Sequence, residues 1–343
     1  MDLRGKTILI TGGCGLIGST ILDQLVRDED VGQVRIIDNL TRGTLLNVEW
    51  ARANGSVDVI QEDIRAFDAI RPHFDGVDVV FHQAAIRITA CAEQWRECQE
   101  VLVDGTFNVA EACVQAGVRK LVAASSASVY GLADTFPTPE GHPLYNNRTW
   151  YGAAKIANEA LYRAFHDMTG LDYVALRYFN VYGPRMDVFG KYTEVLIRWL
   201  DCLDQGQRPA IFGDGSQTMD FVFSEDVARA NILAATSDVS DQVFNVASGT
   251  ETSLSELLRT LLLVTEHPDI KPTYLPARAV NPVRRRLADT AKAASLLGFQ
   301  AQVSLEEGLR RLVAWRRQAV RSRHMSHYDP AGRTPGELTT APT

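Results

Sequence analysis

Tyr151 and Lys155 stand four residues apart in a helical stretch, so a phenol and an ammonium share one face. Such a pair can take a proton from a hydroxyl once the phenolate is favoured. A free tyrosine has a pKa of about 10, so two nearby cations must lower it by about three units, roughly 4 kcal/mol, for work at neutral pH. A serine run that includes Ser126, Ser125-Ser126-Ala127-Ser128-Val129-Tyr130-Gly131, follows an apolar stretch. A second set, Thr11-Gly12-Gly13-Cys14-Gly15-Leu16-Ile17-Gly18, follows an apolar run and opens a helical pattern. Gly12, Gly15 and Gly18 let the backbone turn tightly against a pyrophosphate, which the free N–H groups of the helix start, at Leu16 and Ile17, then attract. Twenty residues past Gly18, Asp38 can accept both ribose hydroxyls of an adenosine and would repel a 2′-phosphate. The dinucleotide expected is therefore NAD, with Asn39 beside Asp38 and Asp63-Ile64 placed for the adenine. Asp63 reads equally as a helix cap, and Arg42 as a solvated surface side chain.

These groups need a scaffold. Thr7–Ile10, Val34–Ile37, Val57–Ile60, Val77–Phe81, Lys120–Ala124 and Asp172–Leu176 are short apolar runs separated by helical patterns. Strands buried on both faces and alternating with helices predict an α/β fold with a doubly wound (Rossmann) parallel sheet. Ligands of such sheets bind beyond the carboxyl ends of the strands, where the glycine turn, the serine run and Tyr151 converge. After Pro184 the rhythm changes to helices over Glu194–Leu203, Glu225–Ala235 and Ser253–Leu263 and a short strand at Arg208–Phe212. This predicts a smaller α/β C-terminal domain. The expected division is 1–180 plus about 219–248 for the dinucleotide and about 181–218 plus 249–317 for the substrate. Residues 318–343 lack periodicity and read as a loose tail.

Of the 343 residues, 45% are apolar and 22% charged, as in a globular enzyme, which excludes a wholly disordered chain. The formal net charge of −7 argues against a nucleic-acid partner. No run of about 18 apolar residues predicts a membrane span, and the N-terminus lacks a signal-peptide core. Five scattered cysteines without a Cys-x-x-Cys pair point away from disulfides and zinc, toward a reducing cytoplasm and no metal.

Together with Tyr151-Gly152-Ala153-Ala154-Lys155 and Leu176-Arg177-Tyr178-Phe179-Asn180-Val181-Tyr182-Gly183-Pro184-Arg185, these motifs resemble the extended short-chain dehydrogenase/reductases. Within them the chain looks like the UDP-glucose 4-epimerase group, over roughly residues 5–317. The resemblance implies that Ser126 holds the reacting hydroxyl, Tyr151 removes its proton, and Lys155 tunes Tyr151 while holding the nicotinamide ribose. It also implies cofactor contacts from Gln83-Ala84-Ala85 and Tyr178. Asn180 and Arg278 are implied for the sugar diphosphate, with Arg284, Arg285 and Arg286 competing for the role of Arg278, and Phe212 for the nucleoside. A homodimer through the helices near 98–116 and 152–169 is implied as well. Two positions depart from the pattern. Leu102 stands where relatives carry an asparagine contacting the cofactor, and Met219 where many carry an arginine.

Several reactions of this family begin by oxidising C4–OH to a 4-keto sugar. A 4,6-dehydratase then needs an acid/base pair where this chain has Ala127 and Ser128, and the decarboxylase branch usually has a glutamate at Ser128. Neither alanine nor serine suits those steps. Return of the hydride to the other face, a 4-epimerisation of a UDP-sugar, needs nothing more. Arg185 is a candidate for the C6 carboxylate of a hexuronate, or else a structural loop residue. A decarboxylase, a reductase and a non-catalytic NAD-binding regulator remain the alternatives.

Overall fold

The computed structural model describes residues 1–188, 194–276 and 283–326. Seven strands build the central sheet: β1 (Thr7–Thr11), β2 (Gln33–Ile37), β3 (Val57–Ile60), β4 (Val79–His82), β5 (Lys120–Ser126), β6 (Tyr173–Tyr178) and β10 (Gln242–Val246). All pair in parallel, in the order β10-β6-β5-β4-β1-β2-β3. The doubly wound parallel sheet read from the sequence is thus the observed one, with one strand more. β10 escapes a search for apolar runs because Asn245 sits fully buried in its middle, its amide bonded to the carbonyls of Thr138 and Asp289.

Alternation along the strands makes two separate cores. Ile8, Ile10, Val79, Phe81, Val122 and Val174 face the helices Leu16–Asp28 and Ser224–Thr236. Leu9, Val80, Leu121 and Tyr173 face the other way, onto Val109 and Cys113 of the helix Gly105–Ala116 and Tyr162 of the helix Trp150–Thr169. The central strands are thereby buried on both faces, which explains why these segments read as continuous apolar runs.

A second group of elements has its own core. β7 (Asn180–Tyr182), β9 (Thr218–Phe223) and β11 (Glu251–Ser253) form one small sheet, and β8 (Ala210–Phe212) pairs with β12 (Thr273–Leu275). Trp199, Leu200, Leu257, Leu261, Leu309 and Leu312 from three helices pack beside them. Two sequence expectations change here. The last helix runs from Leu305 to Ser326, so residues 318–326 are helical rather than tail. Its arginines hide the apolar stripe from a periodicity search; Arg316, for example, is buried against Asp201 and Asp204 of the helix Val195–Asp204. The helix expected over 98–116 is broken by a π-helical stretch at Glu100–Asp104.

Candidate active site

Between β1 and β4 the strand order reverses, and the two chain segments leaving these strands diverge. That crevice is where an open α/β sheet takes its ligand. Gly12 lies here with a φ of +68°, and a Cβ on it would come within 2.7 Å of the Ala84 nitrogen, so only glycine fits. The next helix begins at Leu16 behind Gly15, and no side chain caps it. Its first N–H groups therefore face the crevice without an internal acceptor. Asp38 ends β2 with its carboxylate braced by the N–H groups of Cys14 and Leu40, both at 2.9 Å. Two accepted bonds leave lone pairs on both oxygens for ribose hydroxyls. Uncapped helix, close-fitting glycine and braced carboxylate fit NAD.

The crevice continues into a cleft of about 1380 Å³. Single small-molecule sites typically occupy about 300–1,000 Å³, so this one has room for two elongated ligands. Every site residue expected from the sequence lines it except Lys155 and Arg278. Lys155 is buried behind the wall, and Arg278 lies outside the described residues. Gln83 and Tyr178 meet there: the Tyr178 hydroxyl lies 3.1 Å from Gln83 Oε1 and 3.0 Å from Asn231 Oδ1. Asn39 donates to Asp63 at 2.9 Å, and Arg65 grips the same carboxylate. Those bonds, the Arg65 side chain foremost, hold the Asp63 carboxyl at about 2, well below the usual carboxylate range. Asp63 Oδ1 also accepts the Arg65 N–H, but the next helix begins only at Phe67 with Ala66 at its N-cap, so Asp63 braces a turn in the cleft wall and the helix-cap reading does not hold.

Tyr151 opens a helix capped by Thr149, whose hydroxyl accepts the Gly152 N–H at 3.0 Å. Gly152 presses on the serine loop; a Cβ there would meet Ser128 O at 2.6 Å. Tyr151 and Ser126 both line the cleft, and Ser126 Oγ accepts the Ser128 N–H at 3.1 Å. Lys155 sits one turn on, its ammonium donating to Ala124 O at 2.7 Å and lying 5.8 Å from the Tyr151 ring centre. Burial lowers the Lys155 pKa to about 8. Burial also pushes Tyr151 up to about 12, against the neighbouring Ser126 hydroxyl and the charge of Arg42, which pull it down. The expected lowering of Tyr151 is therefore not supplied by the protein's own groups, because desolvation outweighs them.

On the substrate side, Asn180 donates to Asp220 O at 3.1 Å and Phe212 is half-buried at the end of β8. Arg185, at a φ of +72°, pairs with Asp23 at 2.6 Å. Of the three competing arginines, Arg285 is held by Glu251 at 2.7 Å, and Arg286 donates to Ala127 O at 2.6 Å. Arg284 lines the cleft, and its guanidinium has no partner among the described residues. Sequence reading passed over Arg87 and Glu194, which line the cleft as an ion pair at 3.3 Å. No motif marks them, since residues so far apart in the chain meet only in the fold. Among the described residues no group of three or more His, Cys, Asp and Glu side chains could hold a metal.

Fold and cleft define a Rossmann enzyme that works on a dinucleotide cofactor. The profile of the NAD dependent epimerase/dehydratase family matches residues 8–247. The chain is 37% identical over 309 residues to a UDP-glucose 4-epimerase of Mycolicibacterium smegmatis, covering 89% of this chain and 96% of that one. It is 31% identical over 323 residues to a UDP-N-acetyl-α-D-glucosaminuronate decarboxylase of Bacillus cytotoxicus, covering 91% and 98%. Among solved structures it resembles the Thermotoga maritima UDP-glucose 4-epimerase with UDP-glucose, at a TM-score of 0.84 and 33% identity, covering 92% of this chain and 99% of that one. The protein belongs to the NAD dependent epimerase/dehydratase family and is an NAD-dependent enzyme. No helix among the described residues is long and apolar enough to cross a membrane.

Proposed function

We propose that this enzyme inverts C4 of a UDP-hexose, interconverting UDP-glucose and UDP-galactose through a transient 4-keto sugar. The observation that carries this reading is the convergence of Tyr151 and Ser126 on the cleft, with the Lys155 ammonium 5.8 Å from the Tyr151 ring centre behind them. Ser126 holds the C4 hydroxyl, and Tyr151 takes its proton and returns it after the sugar has turned. Bound NAD supplies the hydride acceptor and, in its oxidised ring, the cation that favours the Tyr151 phenolate. Gly12, Gly15, Leu16, Ile17, Gly18, Asp38, Asn39, Asp63, Ile64, Gln83, Ala84, Ala85 and Tyr178 hold that cofactor, with Lys155 at its ribose. Ser128, Asn180 and Phe212 receive the nucleotide sugar, and Arg284 is a cleft arginine that can meet its diphosphate.

Two observations favour epimerisation of a neutral sugar. Ala127 is buried and its carbonyl is taken by Arg286, so positions 127 and 128 bring no acid to C5 or C6. Arg185, the candidate for a hexuronate carboxylate, is already matched by Asp23. Support for a homodimer comes from an apolar groove between the helices Gly105–Ala116 and Trp150–Thr169, lined by Val103, Phe107, Ala157 and Leu161. Five free cysteines fit a cytoplasmic enzyme.

The test is incubation of the purified protein with UDP-glucose, UDP-N-acetylglucosamine and UDP-glucuronate without added cofactor, followed by proton NMR at C4. Inversion of UDP-glucose is expected. Conversion confined to UDP-glucuronate, with or without loss of CO₂, overturns the reading in favour of a uronate epimerase or decarboxylase.

A further inference from the structure

Tyr151, Lys155 and Glu159 follow one another at intervals of four along the helix Trp150–Thr169 and so share a face. Glu159 lies two turns beyond Tyr151, is buried, and does not line the cleft. Its carboxylate Oε1 accepts the Ser125 hydroxyl at 2.5 Å and Arg177 Nε at 2.9 Å, and Oε2 accepts Arg177 Nη2 at 2.6 Å. Both side chains of the ion pair are buried, at 9% and 4% exposure. Ser125 and Arg177 are register partners on β5 and β6, and the next pair in that register is Ser126 and Tyr178. One carboxylate thus ties the helix to two strands, through Ser125, which itself lines the cleft, and the register partner Arg177, one row before Ser126 and Tyr178. Arg177 extends the tie, donating to the Tyr130 hydroxyl at 2.9 Å and to Glu140 O at 2.8 Å.

We propose that Glu159 is a positioning residue for the reaction: it sets the helix that carries Tyr151 and Lys155 against the strand end that carries Ser126. The role rests on the catalytic reading of those three residues given above. Geometry of this kind is rate-determining because a displacement of about 1 Å between reacting groups can cost about a hundredfold. Glu159 is also the carboxylate whose charge reaches Lys155. The other groups facing that ammonium are the Tyr151 phenol, the Cys91 and Cys98 thiols from the neighbouring short helices, and His82 of β4. Burial keeps the thiols and the imidazole neutral.

Two variants of the NAD-loaded enzyme test this. Glu159→Gln keeps the shape and removes the charge, while Ser125→Ala removes one anchored partner and leaves no buried charge unpaired. The expected result for both is a kcat lower by about tenfold or more, with KM for UDP-glucose within about twofold of wild type. Ser125→Thr, which retains the hydroxyl, restores kcat. In Glu159→Gln the Lys155 ammonium loses its anion, so the fall of kcat on the alkaline side moves to lower pH by about half a unit or more. An unchanged kcat in Ser125→Ala, or an unmoved alkaline limb in a folded Glu159→Gln, overturns the proposal. Should Glu159→Gln fail to fold, Ser125→Ala and Ser125→Thr decide alone. Tyr151→Phe is run beside them. If it retains turnover, the reading of the site has failed; if it loses turnover while Ser125→Ala does not, only the role of Glu159 has failed.

Discussion

Arg185 places its guanidinium 2.6 Å from the carboxylate of Asp23, joining the segment after β7 to the helix behind the glycine turn. Arg185 holds a left-handed backbone at a φ of +72° to do so, a conformation that non-glycine residues adopt only when their surroundings fix it. Asp23 is itself pressed, for burial raises its pKa against the pull of Arg185, and its second oxygen is buried without a partner. The pair thus fastens the cofactor helix to the substrate side of the cleft.

Arg185→Ala is expected to destabilise the protein by about 1–3 kcal/mol, because it leaves Asp23 without its counter-charge. Adding Asp23→Asn recovers part of that loss, a coupling that urea denaturation of the two single variants and the double variant measures. Turnover of Arg185→Ala falls by the same factor on every UDP-sugar accepted by the wild type. Selective loss on UDP-glucuronate returns Arg185 to the role of carboxylate ligand.

Removal of the phenol hydroxyl tests the chemistry. Tyr151→Phe is expected to lower kcat by about 10³-fold, within the range for loss of a positioned acid/base group. Ser126→Ala leaves the base in place and removes one hydrogen bond, so its loss is smaller, about 10- to 100-fold. Both variants keep their bound NAD, which the absorbance of the denatured protein's supernatant reports. In wild type no net reduction of the cofactor accompanies turnover, because the hydride is returned in each cycle.

Local signals made most of the cofactor side legible. Gly12, Asp38, Tyr151 and Lys155 each lie in a short motif whose physical demand is local: a tight turn, a strand end, one helical face. What stayed hidden depends on pairings across the chain. Glu159 lies one turn past a recognised motif, but its significance comes from Ser125 and Arg177 on two other elements. Arg285 and Arg286 could not be separated from Arg284 by sequence, since only the placement of Glu251 and Ala127 engages the first two. Burial of the Tyr151 phenol, which raises its pKa in the absence of the nicotinamide cation, stayed hidden for a similar reason: spacing reveals the nearby ammonium but not the extent of burial.

His82 carries a pH dependence of stability. The ring is fully buried at the end of β4 between the Thr11 hydroxyl at 2.7 Å and the Thr106 hydroxyl at 3.0 Å. Burial, then the charge of Lys155, depresses its pKa to about 3. The unfolded chain, with an ordinary histidine near 6.5, binds this proton first, so stability is full above about pH 6.5 and falls as pH drops toward 3. The expected slope from this one group is up to about 1.4 kcal/mol per pH unit. Denaturation midpoints measured between about pH 5 and 7 should show it, and His82→Asn should flatten it.

The last prediction concerns assembly. Phe107 is 44% exposed and meets Phe165 with tilted rings, centroids 5.4 Å apart, between the helices Gly105–Ala116 and Trp150–Thr169. Trp95 and Trp150, stacked at 6.0 Å, are exposed near the start of the same helical layer, and Met168 is 84% exposed near its end. Large apolar side chains exposed along one helical layer are a candidate interface. A two-fold axis along the groove would bury Phe107 against its own copy, since an isologous interface uses one patch twice. Wild-type protein is therefore expected to sediment at about twice the 37.9 kDa of the chain. Phe107→Glu, which sets two like charges face to face, should sediment as the monomer with an unchanged circular dichroism spectrum. A wild-type protein that is already monomeric removes the dimer from this account and leaves the chemistry of Tyr151 untouched.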